Sequence, residues 1–309
     1  MKVWYVTSNL NQARCYLGGG GGWASAFAIG GRTSTSSGTL TSVELFSGST
    51  WSSLASLNLQ RWGMGVTSSP GFILSFVING DADAYTYTTE YYNGVSWEYS
   101  SNTNVARKYL GAIGRADGSS VIFGGYAALY TSELYSGVSW TTGPNLSIGV
   151  RWPLGGDGYV NTTQGLKIGG YDGSNYYSVC ERYDDTSWVT VNSLNVARGY
   201  GGAGGTGISN IIVFGGYNST NRVLSSTETF NGTSWAVDSA TLNVPRYILG
   251  GAGDSDYALS FGGYNGSSVL NTTELYRTSV GWSGKIWGIS SISKIIGVSK
   301  SSILNVKVS

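Results

Sequence analysis

An Arg, a Gly-Gly pair, a Glu-x-aromatic triplet and a Trp return in the same order six times along this 309-residue chain, roughly 44 to 48 residues apart. Self-similarity at that period constrains the fold more than any other feature, because one supersecondary unit is then copied and the architecture follows from a single copy. The arginines are Arg14, Arg61, Arg107, Arg151, Arg198 and Arg246. The glycine pairs are Gly30-Gly31, Gly124-Gly125, Gly169-Gly170, Gly215-Gly216 and Gly262-Gly263, with Asn79-Gly80 in the second copy. Glu44, Glu90, Glu133, Glu181, Glu228 and Glu274 follow, each with an aromatic two positions on, and Trp51, Trp97, Trp140, Trp188, Trp235 and Trp282 close the copies. Glu to Trp is seven residues in five copies and eight in the last.

Within the third copy, Tyr109 to Gly114 is a short apolar run and Arg115 to Gly118 has turn chemistry. Ser119 to Phe123 is a second strand ending at Gly124-Gly125, Ser132 to Tyr135 a third, and Val138 to Thr141 a fourth. Four short antiparallel strands per unit make one propeller blade, so the expected fold is all-β: a six-bladed β-propeller over residues 1–282, followed by a short β-rich C-terminal extension, 283–309. Paired glycines at a strand end permit positive φ and close backbone approach, and the Trp supplies an apolar plate between blades. Groups repeated in every blade build the scaffold, so the Arg and Glu are expected to be structural, satisfying each other or strand-end backbone groups, rather than to catalyse.

Trp4 precedes Arg14 by the ten residues that separate Trp51 from Arg61, which makes the N-terminal segment a seventh copy of the fourth strand. Either residues 2 to 7 or the Trp282 segment must complete the sixth blade. The irregular last Glu-to-Trp interval favours sealing from the N-terminus.

Gly-Gly, an aromatic and a Trp in a four-stranded unit of this length resemble the kelch repeat, over roughly residues 1 to 282. The aromatic-to-Trp interval is shorter here, and no aromatic follows Gly30-Gly31 or Asn79-Gly80 directly. The resemblance implies binding through loops and the mouth of the central channel.

Positions that differ among copies are where function can sit. Just after the repeated Arg stand Cys15, Trp62, Lys108, Trp152, Gly199 and Tyr247. After the glycine pairs come Asp81, Asp83, Tyr85 and Tyr87; Tyr126 and Tyr130; Tyr171, Asp172, Asn175, Tyr176 and Tyr177; Tyr217 and Asn218; and Tyr264 and Asn265. Tyrosines stack on sugar rings and Asn, Asp and Ser bond hydroxyls, so a glycan-binding face is the concrete expectation, set against plain soluble turn chemistry.

The chain contains no His, which excludes His-ligated copper or zinc, a Ser-His-Asp triad and the galactose-oxidase-like chemistry known on kelch propellers. No metal or cofactor is expected. A sialidase-like or carboxylate-pair hydrolase would need two non-repeated acids converging, and Asp81, Asp83, Asp157 and Asp172 are scattered candidates. A net charge of +1 gives no footprint for nucleic acid, no run approaches a spanning helix, and the first residues lack a signal-peptide core. Cys15 and Cys180 fall at different positions of distant copies and read as small core residues rather than a disulfide.

Beyond Trp282, Lys285-Ile286-Trp287-Gly288-Ile289-Ser290 is echoed nine residues later by Lys294-Ile295-Ile296-Gly297-Val298-Ser299. Such a segment cannot bury itself and should pair with the ring, with copies of itself in a homo-oligomer, or with a partner. It resembles the Lys-Ile-x-Gly-Val-Ser endings of structural proteins of tailed bacteriophages, whose fibres and appendages also carry Gly/Ser/Tyr-rich kelch-like arrays. That likeness implies a non-enzymatic virion protein of the tail, neck or fibre, assembled in the host cytoplasm. Its loops would recognise a host surface glycan or protein and its tail would anchor it to other virion proteins without membrane insertion. The rival expectations are an extracellular adhesin or lectin and an intracellular kelch scaffold.

Overall fold

The computed structural model describes residues 1–279 apart from 70–73, 83, 117 and 158–163. Trp282 and the extension carrying Lys285, Ile286, Trp287, Ile289, Lys294, Ile295, Ile296 and Val298 lie outside the described residues.

The described chain is all-β and forms six sheets of four antiparallel strands, each running from an innermost to an outermost strand. Blade one is Gly18–Gly22, Ser25–Ile29, Val43–Phe46 and Trp51–Ser53. The innermost strands of the next five blades are Gly65–Ser69, Gly111–Arg115, Leu154–Asp157, Gly202–Gly205 and Gly250–Gly253. These six strands touch in a closed circle and line a central channel. They are rich in Gly because neighbouring backbones pack against each other: a Cβ on Gly251 would lie 2.6 Å from the Ala203 carbonyl oxygen, closer than atoms allow.

Blade six is Gly250–Gly253, Ala258–Phe261 and Thr273–Thr278, closed on the outside by Lys2–Thr7. Trp4 lies opposite Tyr276 as Trp51 lies opposite Phe46, so the N-terminal strand seals the ring.

Apolar plates fill the gaps between blades. Trp51 packs on Phe46 of its own blade and on Phe261 of blade six, at 5.2 and 5.0 Å between centroids. Trp4 packs likewise on Tyr276 and Phe214, and its indole N–H bonds the Thr227 hydroxyl of blade five. Cys15 and Cys180 are free thiols, fully buried.

The Arg and Glu do pair, in five copies: Arg14–Glu44, Arg61–Glu90, Arg107–Glu133, Arg198–Glu228 and Arg246–Glu274, at 2.5 to 3.2 Å. Each glutamate also holds the linker that enters its blade. In copy two the Asn58 backbone and side-chain amides donate to Glu90 Oε2, and the side chain also reaches the Trp97 carbonyl. Asn11, Asn104, Asn195 and Asn243 repeat this arrangement. Each arginine spans two strand ends, as Arg198 does through the Gly215 and Ser226 carbonyls. These pairs are desolvated but densely hydrogen-bonded, with Arg14 Nε alone among the five arginines' nitrogens left without a partner, and such bonding is the condition under which a buried charge pair is tolerated.

Copy four departs from this pattern. Val150, fully buried, occupies the arginine position: its carbonyl accepts from Gly125 N–H just as the Arg61 carbonyl accepts from Gly31 N–H. Glu181 is neutralised instead by Lys167, its direct cross-strand neighbour, at 3.4 Å. The sequence expectation of an Arg151–Glu181 pair is therefore corrected. The arginine is displaced by one residue, and a lysine from the second strand replaces it.

Candidate functional site at the channel mouth

Each chain entry into an innermost strand bends through one residue in the left-handed region: Tyr16, Gly63, Tyr109, Trp152, Tyr200 and Ile248, with φ between 51° and 63°. Five of these are not glycine, and each such residue costs roughly 1–3 kcal/mol unless its surroundings hold it. What holds them is a closed circle of backbone hydrogen bonds. Tyr16 N–H donates to the Ile248 carbonyl, Ile248 to Tyr200, Tyr200 to Trp152, Trp152 to Tyr109, Tyr109 to Gly63, and Gly63 back to Tyr16. One residue from every blade thus clasps the next, and the backbone at the rim is committed to the ring. What the rim has free to present is therefore side chains.

Those side chains form one connected aromatic surface. Tyr109 stacks on Trp152 at 3.6 Å, Trp152 meets Tyr200 at 4.1 Å, and Tyr16 meets Trp62 at 5.0 Å. Outward from this ring, Tyr126 contacts Tyr85 and Tyr109. Tyr171 stacks on Tyr176 at 4.5 Å, Tyr176 meets Tyr200 and Tyr217, and Tyr217 continues through Tyr247 to Tyr264. The cavity that the mouth encloses is only about 110 Å³, where a pocket that swallows a small molecule holds ~300–1,000 Å³. The mouth is thus too small to enclose such a molecule, and what it offers is the face of the rim.

Cations punctuate the surface. The Arg32 guanidinium lies 3.8 Å above the Trp62 ring. Lys108 sits between Trp62, Tyr85, Tyr109 and Tyr126 and pairs with Asp81 at 2.8 Å. Arg151 lies among Tyr126, Trp152 and Tyr171, and Arg222 donates to the Tyr217 hydroxyl. Burial pushes the phenols up, to about 12 for Tyr16 and Tyr176 and higher for Tyr109 and Tyr200, so they are neutral hydroxyls at ordinary pH.

The residues expected from sequence divide clearly. Trp152, Tyr85, Tyr126, Tyr171, Tyr176, Tyr217 and Tyr264 belong to the connected surface. Trp62 belongs to it too, but is buried beneath Arg32. Tyr87 and Tyr130 are exposed and stand apart from the ring contacts among the described residues. Tyr171, Tyr176 and Tyr177 are not loop residues: blade four extends its middle strands to Gly165–Tyr171 and Tyr176–Tyr183, so these tyrosines ride on a projecting hairpin. Asp172 caps that hairpin, accepting from the Ser174 and Asn175 amides and the Tyr177 hydroxyl, which hold its carboxyl well below the usual range. Asp83 and the side chain of Asp157 lie outside the described residues.

The residues that sequence reasoning missed are those two positions after the repeated Arg. A signal was present in Tyr16-Leu17-Gly18, Tyr109-Leu110-Gly111 and Ile248-Leu249-Gly250, where an apolar pair precedes the first inner-strand glycine. Copy four lacks that glycine, with Leu154 opening its inner strand, and aligning on the strand start puts Trp152 in the ring and Arg151 beside Trp62, Lys108 and Tyr247. Trp152 is thus not the equivalent of Trp62.

No protein-family model matches the chain, and no curated protein matches it in sequence.

Proposed function

We propose that this chain is a non-enzymatic binding protein whose channel-mouth face recognises a saccharide by stacking. The observation that carries this is the connected aromatic surface around a rim whose backbone is already committed. Ring faces with few free backbone groups suit a flat ligand with apolar patches and hydroxyls, and the neutral phenols supply donors and acceptors at the margins. A tyrosine nucleophile of the sialidase kind would need its pKa lowered, and the buried mouth phenols move the other way.

The carrier is proposed on sequence grounds. The Gly-Gly, aromatic and Trp pattern makes the propeller kelch-like, and the echoed Lys-Ile segment at 285–299 is similar to phage structural termini. A virion component of the tail, neck or fibre, anchored through 283–309 to other virion proteins, combines both features. Mass spectrometry of purified particles tests the carrier, and absence of the chain from them overturns it. An adhesin would keep the same binding face on a different carrier.

A glycan array tests the face. The double variant Tyr126→Ala/Tyr176→Ala removes one ring from each side of blade four's entrance and is expected to lose about tenfold or more in affinity, with an unchanged thermal midpoint. Undiminished binding by the variant, or no glycan bound by the unaltered protein, overturns the proposal.

A further inference from the structure

We infer that the saccharide is acidic and that Arg151 takes its carboxylate. This deepens the reading of the mouth as a saccharide surface and rests on it.

The one-residue displacement in copy four puts Val150 into the blade interior and releases Arg151 to the rim. There its guanidinium carbon lies 4.8 Å from the Tyr171 ring centroid, 5.6 Å from Trp152 and 5.7 Å from Tyr126. Its Nε is buried without a hydrogen-bond partner, and among the described residues no carboxylate lies within ion-pair distance of it. The other cations of the rim are differently placed. Lys108 is neutralised by Asp81, Arg32 lies over the Trp62 ring with its Nε donating to the Thr39 hydroxyl, and Arg222 is exposed and donates to the Tyr217 hydroxyl rather than lying among rings. Asp172, on the same hairpin as Tyr171, directs both carboxylate oxygens into its own turn.

A guanidinium walled by three rings is a fixed charge with reduced hydration, and its planar fork matches a carboxylate through two parallel hydrogen bonds. Rings on either side give the attached sugar a surface to stack on. The five blades that keep their arginine inside have no such group. Arginine here therefore supplies charge recognition where the remaining rim supplies shape.

The test uses the full chain and a panel of uronate- and sialate-bearing oligosaccharides, each beside its carboxyl-reduced counterpart, with affinities measured at low and high salt. The unaltered protein is expected to prefer at least one acidic form over its reduced partner by tenfold or more, and to lose part of that preference as salt rises. Arg151→Gln should abolish the preference while leaving the reduced forms bound as before. Arg151→Lys, which keeps the charge and loses the fork, should retain a fraction of it. Equal binding of acidic and reduced forms overturns the inference and leaves the saccharide surface standing. A preference that survives Arg151→Gln also overturns it. Binding of neither form overturns the saccharide reading itself.

Discussion

Blade four and blade five solve the same electrostatic problem with different residues. In blade five, Glu228 accepts the Asn195 amides and Arg198 at 2.9 Å, and the arginine also ties the Gly215 and Ser226 carbonyls. In blade four, Glu181 accepts the Ser147 amide and faces Lys167 at 3.4 Å, while its Oε1 makes no hydrogen bond. The requirement common to both is a counter-charge for a buried carboxylate that grips the entering linker. The arginine is a sufficient solution but not a necessary one. Once a lysine from the neighbouring strand meets the requirement, the linker arginine is free to serve the rim.

Breaking the comparison at its stronger end should have the largest effect. Arg198→Met leaves Glu228 buried and unpaired and cuts the strand-end bonds, with an expected loss of about 3–5 kcal/mol in urea unfolding. A shift below about 1 kcal/mol would mean that the repeated pair is not a structural necessity. Lys167→Met removes the longer, less bonded partner and should cost less, about 2–3 kcal/mol. Installing the consensus pair as Val150→Arg/Lys167→Ala should recover most of that loss. Failure to recover would show that copy four's interior has been remodelled beyond the exchange of charges.

The smallest effect is on pH dependence. Burial lowers the Lys167 pKa from 10.5 despite Glu181, so between its folded value and 10.5 the unfolded chain holds more protons. The contribution of Lys167 to stability therefore rises with pH through that window. The urea midpoint of the unaltered protein should gain on that of the Val150→Arg/Lys167→Ala variant from neutral pH toward pH ~10. A flat difference would place the ammonium in a better hydrated setting than its burial implies.

The ring was legible in the sequence because its parts recur: Arg61, Glu90 and Trp97 mean little singly and a blade when repeated. Closure by Trp4 was legible for the same reason. Asn58 and its equivalents escaped notice because an Asn in a Ser/Thr-rich linker resembles any turn residue, and its bonds to Glu90 and Trp97 span the blade. The displacement at Arg151 was hidden by loop-length variation, since an arginine one residue late still fell inside the tolerance of the repeat. The hairpin bearing Tyr171 and Tyr176 was hidden by Gly169-Gly170, which in the other copies ends a strand and here is spanned by an irregularity in pairing.

The sealing strand has a consequence for synthesis. Lys2–Thr7 leaves the ribosome before the other strands of the ring, yet its sheet partner among the described residues is Thr273–Thr278, the last of those strands to emerge. At ~5–20 residues per second, some 270 intervening residues separate the two by about 10–60 s. Through that interval five blades can form beside an unpaired leading strand that carries Trp4. The circle can shut only when translation of the ring is complete, so a truncated chain is left open with an exposed edge and without a closed mouth.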